Sequence, residues 1–108
     1  MANTPIREPT LYVLSALAAG PLHGYAIIKA VEELSEGRLK LRAGTLYGAL
    51  ARLQVDGFVA FDGTAKEGGP ERRIFSLTRS GARLLADEVD RLEANAAMGR
   101  SQLRRATS

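Results

Sequence analysis

Three features of the sequence predict a mainly α fold with a small β-hairpin and a long C-terminal helix. Apolar residues recur at helical spacing in four separate stretches. Two short strand-like runs, FVAF at Phe58–Phe61 and RRIFSL at Arg72–Leu77, flank a turn rich in glycine and proline. Beyond Thr78, a helical pattern continues further than a domain of 108 residues can cover with its own elements.

Residues 1–8 are largely polar and read as a flexible N-terminal arm ahead of a domain spanning 9–77. From Pro9 to Ala19, Leu11, Leu14, Leu17 and Ala18 repeat at helical spacing, with Tyr12 and Val13 beside the stripe. Pro9 suits a first helical turn and Gly20-Pro21 ends the helix. From His23 to Leu34, the predicted apolar stripe is Tyr25, Ile28, Val31 and Leu34, with Ile27 beside it and Lys29, Glu32 and Glu33 facing out. Gly24 marks close packing at the helix start. His23 reads as a helix-start residue that bonds backbone or solvent, not as a catalytic base. In SEGRLKLR, Ser35–Arg42, Gly37 breaks the helix. Leu39 and Leu41 then alternate with Lys40 and Arg42, the pattern of a very short strand.

The stretch Ala43–Val59 organises the rest. Leu46, Leu50 and Leu53 share one helix face, while Gly48, Ala51, Arg52 and Val55 lie opposite, with Thr45 and Tyr47 on the flanks. That outer face is small at its centre and carries a cation, which suits a DNA groove. Gly57 fits a C-terminal cap. The hairpin follows, its charged tip carrying Lys66 and Arg72-Arg73 against Asp62, Glu67 and Glu71. Thr78 caps the last helix. Leu85, Val89, Leu92, Ala96 and Leu103 form nearly a heptad seam, which predicts pairing with a second chain over residues 78–108. Gly99 interrupts the seam and predicts bending or fraying beyond it.

This order of elements is a winged helix-turn-helix plus a long C-terminal helix. The expected partner is double-stranded DNA. Lys40, Arg42, Arg52, Lys66, Arg72 and Arg73 are expected at phosphates, and Tyr47 and Arg52 at base edges. A net charge of +3 permits such a partner without demanding one. A winged helix used as a protein-interaction module, without specific DNA binding, is the alternative. The absence of cysteine and the single histidine exclude thiolate and multi-histidine metal sites, so no metal or cofactor is expected. Gly68-Gly69 lacks the GK[ST] ending of a phosphate loop, and no hydroxyl is paired with a base, so an enzyme is not expected. No apolar run has the length of a membrane span and no signal-peptide layout opens the chain, so a cytoplasmic protein is expected.

Three motifs carry a resemblance: HGYAI at His23–Ile27, GTLYGALARLQVDGFV at Gly44–Val59, and RRIFSLTRSGARLL at Arg72–Leu85. In these the chain resembles the PadR family of bacterial transcriptional regulators, from Pro9 to about Leu92. The resemblance implies a homodimeric repressor whose C-terminal helix crosses the partner and which a small-molecule effector releases. It implies DNA contacts from Thr45, Tyr47, Arg52 and the wing cations, while Gly48, at the centre of the outer face, is expected to let DNA approach the backbone closely. The chain departs from the family pattern at Gly48, where proline is frequent, at Arg42, where a small hydroxyl cap is frequent, and at Phe75, where tyrosine is usual. Some short relatives stack planar drugs on tryptophan at the dimer centre. This chain has no tryptophan, so that ligand class is not carried over. Leu11, Ser15, Val89, Leu92, Ala96 and Met98 are the positions for a dimer cleft open to a small apolar effector, with plain interface packing as the other reading. Leu11 joins the seam residues as a dimerisation position.

Overall fold

Four helices and three strands follow one another in the computed structural model, which describes residues 5–65 and 69–108. They are α1 (Glu8–Ala18), β1 (Leu22–His23), α2 (Gly24–Leu34), α3 (Ala43–Val55), β2 (Val59–Ala65), β3 (Arg72–Leu77) and α4 (Arg79–Ala106). The sheet is antiparallel in the order β1-β3-β2. Leu46, Leu50 and Leu53 of α3 turn inward, as their spacing predicts, onto Leu14 and Leu17 of α1, Ile27 and Val31 of α2, and Val59 and Phe75 of the sheet. The fold is a winged helix with a long C-terminal helix added.

Several expectations are corrected. No strand forms at Leu39–Leu41. The Leu39 amide donates to the Ser35 hydroxyl (2.9 Å), and the two leucines lean onto the core from an irregular segment. The third strand lies instead at Leu22–His23, paired with Phe75 and Ile74. On α2 the buried face is Gly24, Ile27 and Val31, while Tyr25 and Leu34 are more than half exposed. The stripe is thus rotated by one position. On α1, Val13 is buried and Ala18 is exposed. Residues 6 and 8 do not behave as a loose arm: Ile6 packs against the core, Glu8 opens α1, and the Glu8 carboxylate takes hydrogen bonds from Arg38 (3.0 and 3.4 Å). α4 runs unbroken through Gly99 to Ala106, with no fraying there. The wing tip expected at Lys66 and Glu67 lies outside the described residues.

The sequence motifs become intelligible at one junction. Gly57 adopts φ +84°, as a left-handed cap requires, and its amide bonds back to the Gln54 carbonyl (3.1 Å). The Thr78 hydroxyl donates to the Gly57 carbonyl (2.7 Å) and accepts from the Gly81 amide (2.9 Å). The Thr78 amide donates to the Phe58 carbonyl (3.1 Å). Gly81 itself lies so close to that carbonyl that an added Cβ would overlap it. The end of α3, the root of the wing and the first turn of α4 are therefore one bonded unit.

Further along α4, Glu88 is buried and takes two hydrogen bonds from Arg91 (2.9 and 2.5 Å). The guanidinium, against the opposing effect of burial, holds this carboxyl below the usual carboxylate range, and the Ile6 amide adds to the effect. From Leu92 to Ala106 every side chain on α4 is exposed.

Candidate nucleic-acid interface

α3 presents its outer face because its leucines are spent on the core. Thr45, Ala51 and Arg52 are exposed along it, and Gly48 lies half-buried between them. A Cβ at Gly48 would meet only the Arg52 Nη1, at 3.9 Å. The Arg52 side chain therefore runs back towards the helix N-terminus, beside the glycine, as long helical side chains do. Arg42 is the extended N-cap of α3 (φ −86°, ψ 153°) and supplies no side-chain cap. The first amides of α3 are thus left without a side-chain acceptor, next to the exposed cations Lys40 and Arg42.

Tyr47 departs from the picture of a side chain free to read bases. Its hydroxyl and ring occupy the space a Cβ at Gly24 would take, and the ring packs 6.3 Å from Phe75, centroid to centroid. Gly24 is thus small because Tyr47 crosses it. At 43% exposure, Tyr47 still forms part of the surface.

The wing meets α3 at this ring. Arg73 lies over Phe61 (5.1 Å) and Phe75 (5.6 Å), and Arg72 over Tyr25 (5.9 Å). Resting on aromatic faces orders both guanidiniums in advance of any partner. Tyr47, Arg72 and Arg73 line one crease of about 260 Å³ together with His23, Tyr25, Pro70 and the acidic Glu71. The structure thus joins Tyr47 to the wing cations. Lys40 and Arg42 lie apart from that crease, at the opposite end of α3 from its Gly57 cap. Lys66 lies outside the described residues. His23 acts as expected: its Nδ1 accepts from the Ala26 amide (3.1 Å) and caps α2.

Charge is unbalanced here. Among the described residues the ion pairs are Arg38–Glu8 and Arg91–Glu88, so Lys40, Arg42, Arg52, Arg72 and Arg73 form none. Sequence reasoning missed Tyr25 and Lys29 as neighbours of this surface. The available signal was the absence of any acidic residue in the first turn of α2. Among the described residues, no three His, Asp or Glu side chains gather as a metal site, and no helix is long and apolar enough to cross a membrane.

The comparisons agree with this architecture. The family model described as "Transcriptional regulator PadR-like family" matches residues 13–87. The chain is 49% identical over 82 residues to an uncharacterized 37.1 kDa protein in transposon TN4556 of Streptomyces fradiae, covering 76% of this chain and 22% of that protein. It is 31% identical over 86 residues to the transcriptional regulator YqjI of Escherichia coli (strain K12), covering 80% of this chain and 40% of that protein. The chain thus spans less than half the length of the curated relatives it matches. Among solved structures, Bacillus subtilis PadR in complex with operator DNA superposes with a TM-score of 0.67 at 28% identity, over 77% of this chain and 47% of that one. With the family model spanning the second half of α1, α2, α3, the wing and the start of α4, the chain belongs to the PadR-like family of transcriptional regulators, a family of regulators and not of enzymes.

Proposed function

We propose that the protein is a cytoplasmic, sequence-specific DNA-binding regulator, acting as a homodimeric repressor that a small-molecule effector releases. The observation that carries this reading is the crease joining Tyr47 of α3 to Arg72 and Arg73 of the wing, whose guanidiniums form no ion pair among the described residues, although the Glu71 carboxylate shares the crease. A helix whose outer face is small and basic enters the major groove, while the wing holds the flanking backbone. The uncapped amides of α3, beside Lys40 and Arg42, favour a phosphate at that end. The operator complex of the Bacillus subtilis relative supports the same assignment. Residues 9–77 then bind DNA and residues 78–108 dimerise.

Dimerisation is supported by the apolar side chains that α4 leaves uncovered: Val89, Leu92, Ala96, Met98 and Leu103 are all exposed. Leu85 differs, since it packs on the chain's own core. A groove of about 470 Å³, walled by Leu11, Ser15, Leu34, Val89 and Leu92, opens between α1 and α4. The second α4 covers it in the dimer, and a small apolar effector bound there acts on the same seam.

The test is a salt titration on a duplex selected from random sequence. With about six phosphates neutralised per recognition unit, the slope of log K against log salt is expected near −5. Arg52→Ala is expected to lower discrimination between selected and scrambled duplexes by about 1–3 kcal/mol, and Arg73→Ala to weaken both about equally. Unchanged binding by both variants would instead favour a protein-interaction module.

Gly48→Ala separates close approach from side-chain contact. The added methyl has room and replaces a helical glycine, so the free protein is expected to gain about 1 kcal/mol in urea denaturation. If duplex lies against the backbone there, the same methyl weakens binding by about 1–3 kcal/mol. Greater stability with unchanged affinity would remove Gly48 from the interface.

A further inference from the structure

The large aromatic Tyr25 is 59% exposed on the first turn of α2, although its spacing predicts a core position. Two cations from different elements lie near its ring. Lys29 Nζ lies 5.8 Å from the centroid and the Arg72 guanidinium 5.9 Å from it. Neither cation belongs to an ion pair among the described residues. Lys29 comes from the same helix one turn on, and Arg72 arrives across the sheet because β1 pairs with β3 beside it. A cavity of about 580 Å³ opens on this side of Tyr25, walled by Lys29, Arg72, Leu22, Pro70 and Ile74. Tyr25 and Arg72 also wall the crease that holds Tyr47 and Arg73. The surface that carries the wing arginines therefore continues past α3 and the wing onto the edge of α2, with Glu71 as the acidic residue in the shared crease.

We propose that Tyr25 and Lys29, with Arg72, form a second row of contacts to the phosphate backbone of duplex DNA, outside the groove that α3 enters. The inference rests on the reading of the protein as a DNA-binding regulator. The chemistry fits phosphate and not base edges. A flexible ammonium is a point charge without directional readout, and the tyrosine hydroxyl supplies one further donor. Both cations lie within 6 Å of the same ring, which gathers two positive charges from different elements at one place, as a polyanion passing along the surface requires. A surface of this kind adds affinity and register but no sequence preference.

The experiment uses the full chain with two fluorescent duplexes, one selected from random sequence and one scrambled. Lys29→Ala is expected to weaken both duplexes by the same factor and to reduce the magnitude of the salt slope by about 1. Tyr25→Phe is expected to weaken both uniformly with a smaller change in slope, and Lys29→Arg to restore the slope. Arg83→Ala, which removes an exposed cation on α4, controls for net charge and is expected to leave the slope unchanged. Lys29 is exposed, so the variants are expected to keep the wild-type helical circular dichroism and melting curve. Equal slopes for wild type and Lys29→Ala would overturn the proposal while leaving the regulator reading intact. So would a loss confined to the selected duplex, since that marks base readout. Failure of the wild-type chain to bind either duplex would overturn both readings.

Discussion

Gly81→Ala is expected to destabilise the fold by about 2–3 kcal/mol, a large effect for one added methyl. The cause is steric. The first turn of α4 presses against the Phe58 backbone, and a Cβ at Gly81 would overlap the Phe58 carbonyl oxygen and crowd the Leu77 side chain. The carbonyl cannot retreat cheaply, because it accepts the Thr78 amide. Gly99→Ala is the matching control on the same helix. Nothing lies within 4 Å of a Cβ there, so helix propensity alone acts and stability rises by up to about 1 kcal/mol. Urea denaturation of the two variants reads the difference. Shifts of the same sign and size would show that Gly81 is not packed as described.

Leu92→Glu is expected to convert a dimer into an 11.6 kDa monomer and to lower duplex affinity by about 10²–10⁴-fold. Within its own chain Leu92 is 39% exposed and lines only the edge of the groove beside α1, so the isolated fold tolerates the change. In the proposed dimer it places a carboxylate at the centre of an apolar seam. Affinity falls steeply because two half-sites are no longer engaged together. Sedimentation and duplex titration measure the two effects. A wild-type mass of 11.6 kDa at all concentrations, or undiminished affinity in the monomeric variant, would end the dimer reading.

Short-range physics made most of the fold legible. The leucine triplet of α3, its glycine cap and the threonine cap of α4 each depend on residues within one or two turns, and each occurs where its spacing predicts. What escaped depended on distant partners. β1 is two residues long and exists because β3, some fifty positions on, offers a free edge; no periodicity can announce it. The alternation at Leu39–Leu41 mimicked a strand because two leucines tuck onto the core from an irregular segment. The α2 face was misplaced because hydrophobicity favours Tyr25 over Gly24, whereas the packing needs an absent side chain at residue 24 to admit Tyr47. The same contact explains what was missed in the candidate site. Tyr47 is partly tied down by that glycine, and Tyr25, displaced outward, becomes surface beside Lys29 and Arg72.

The bonds from Thr78 to Gly57 and Phe58 have a consequence for the proposed dimer on DNA. Because α4 starts rigidly from the end of α3, a dimer joined through α4 fixes the distance and angle between its two α3 helices. The protein then acts as a caliper. Each base pair inserted between half-sites turns the second one by about 34° around the duplex axis, and half a helical repeat, about 5 bp, moves it to the opposite side. Neither the cap of α3 nor the first turn of α4 has slack to follow such a rotation. Duplexes with the same half-sites at a different spacing are therefore different ligands.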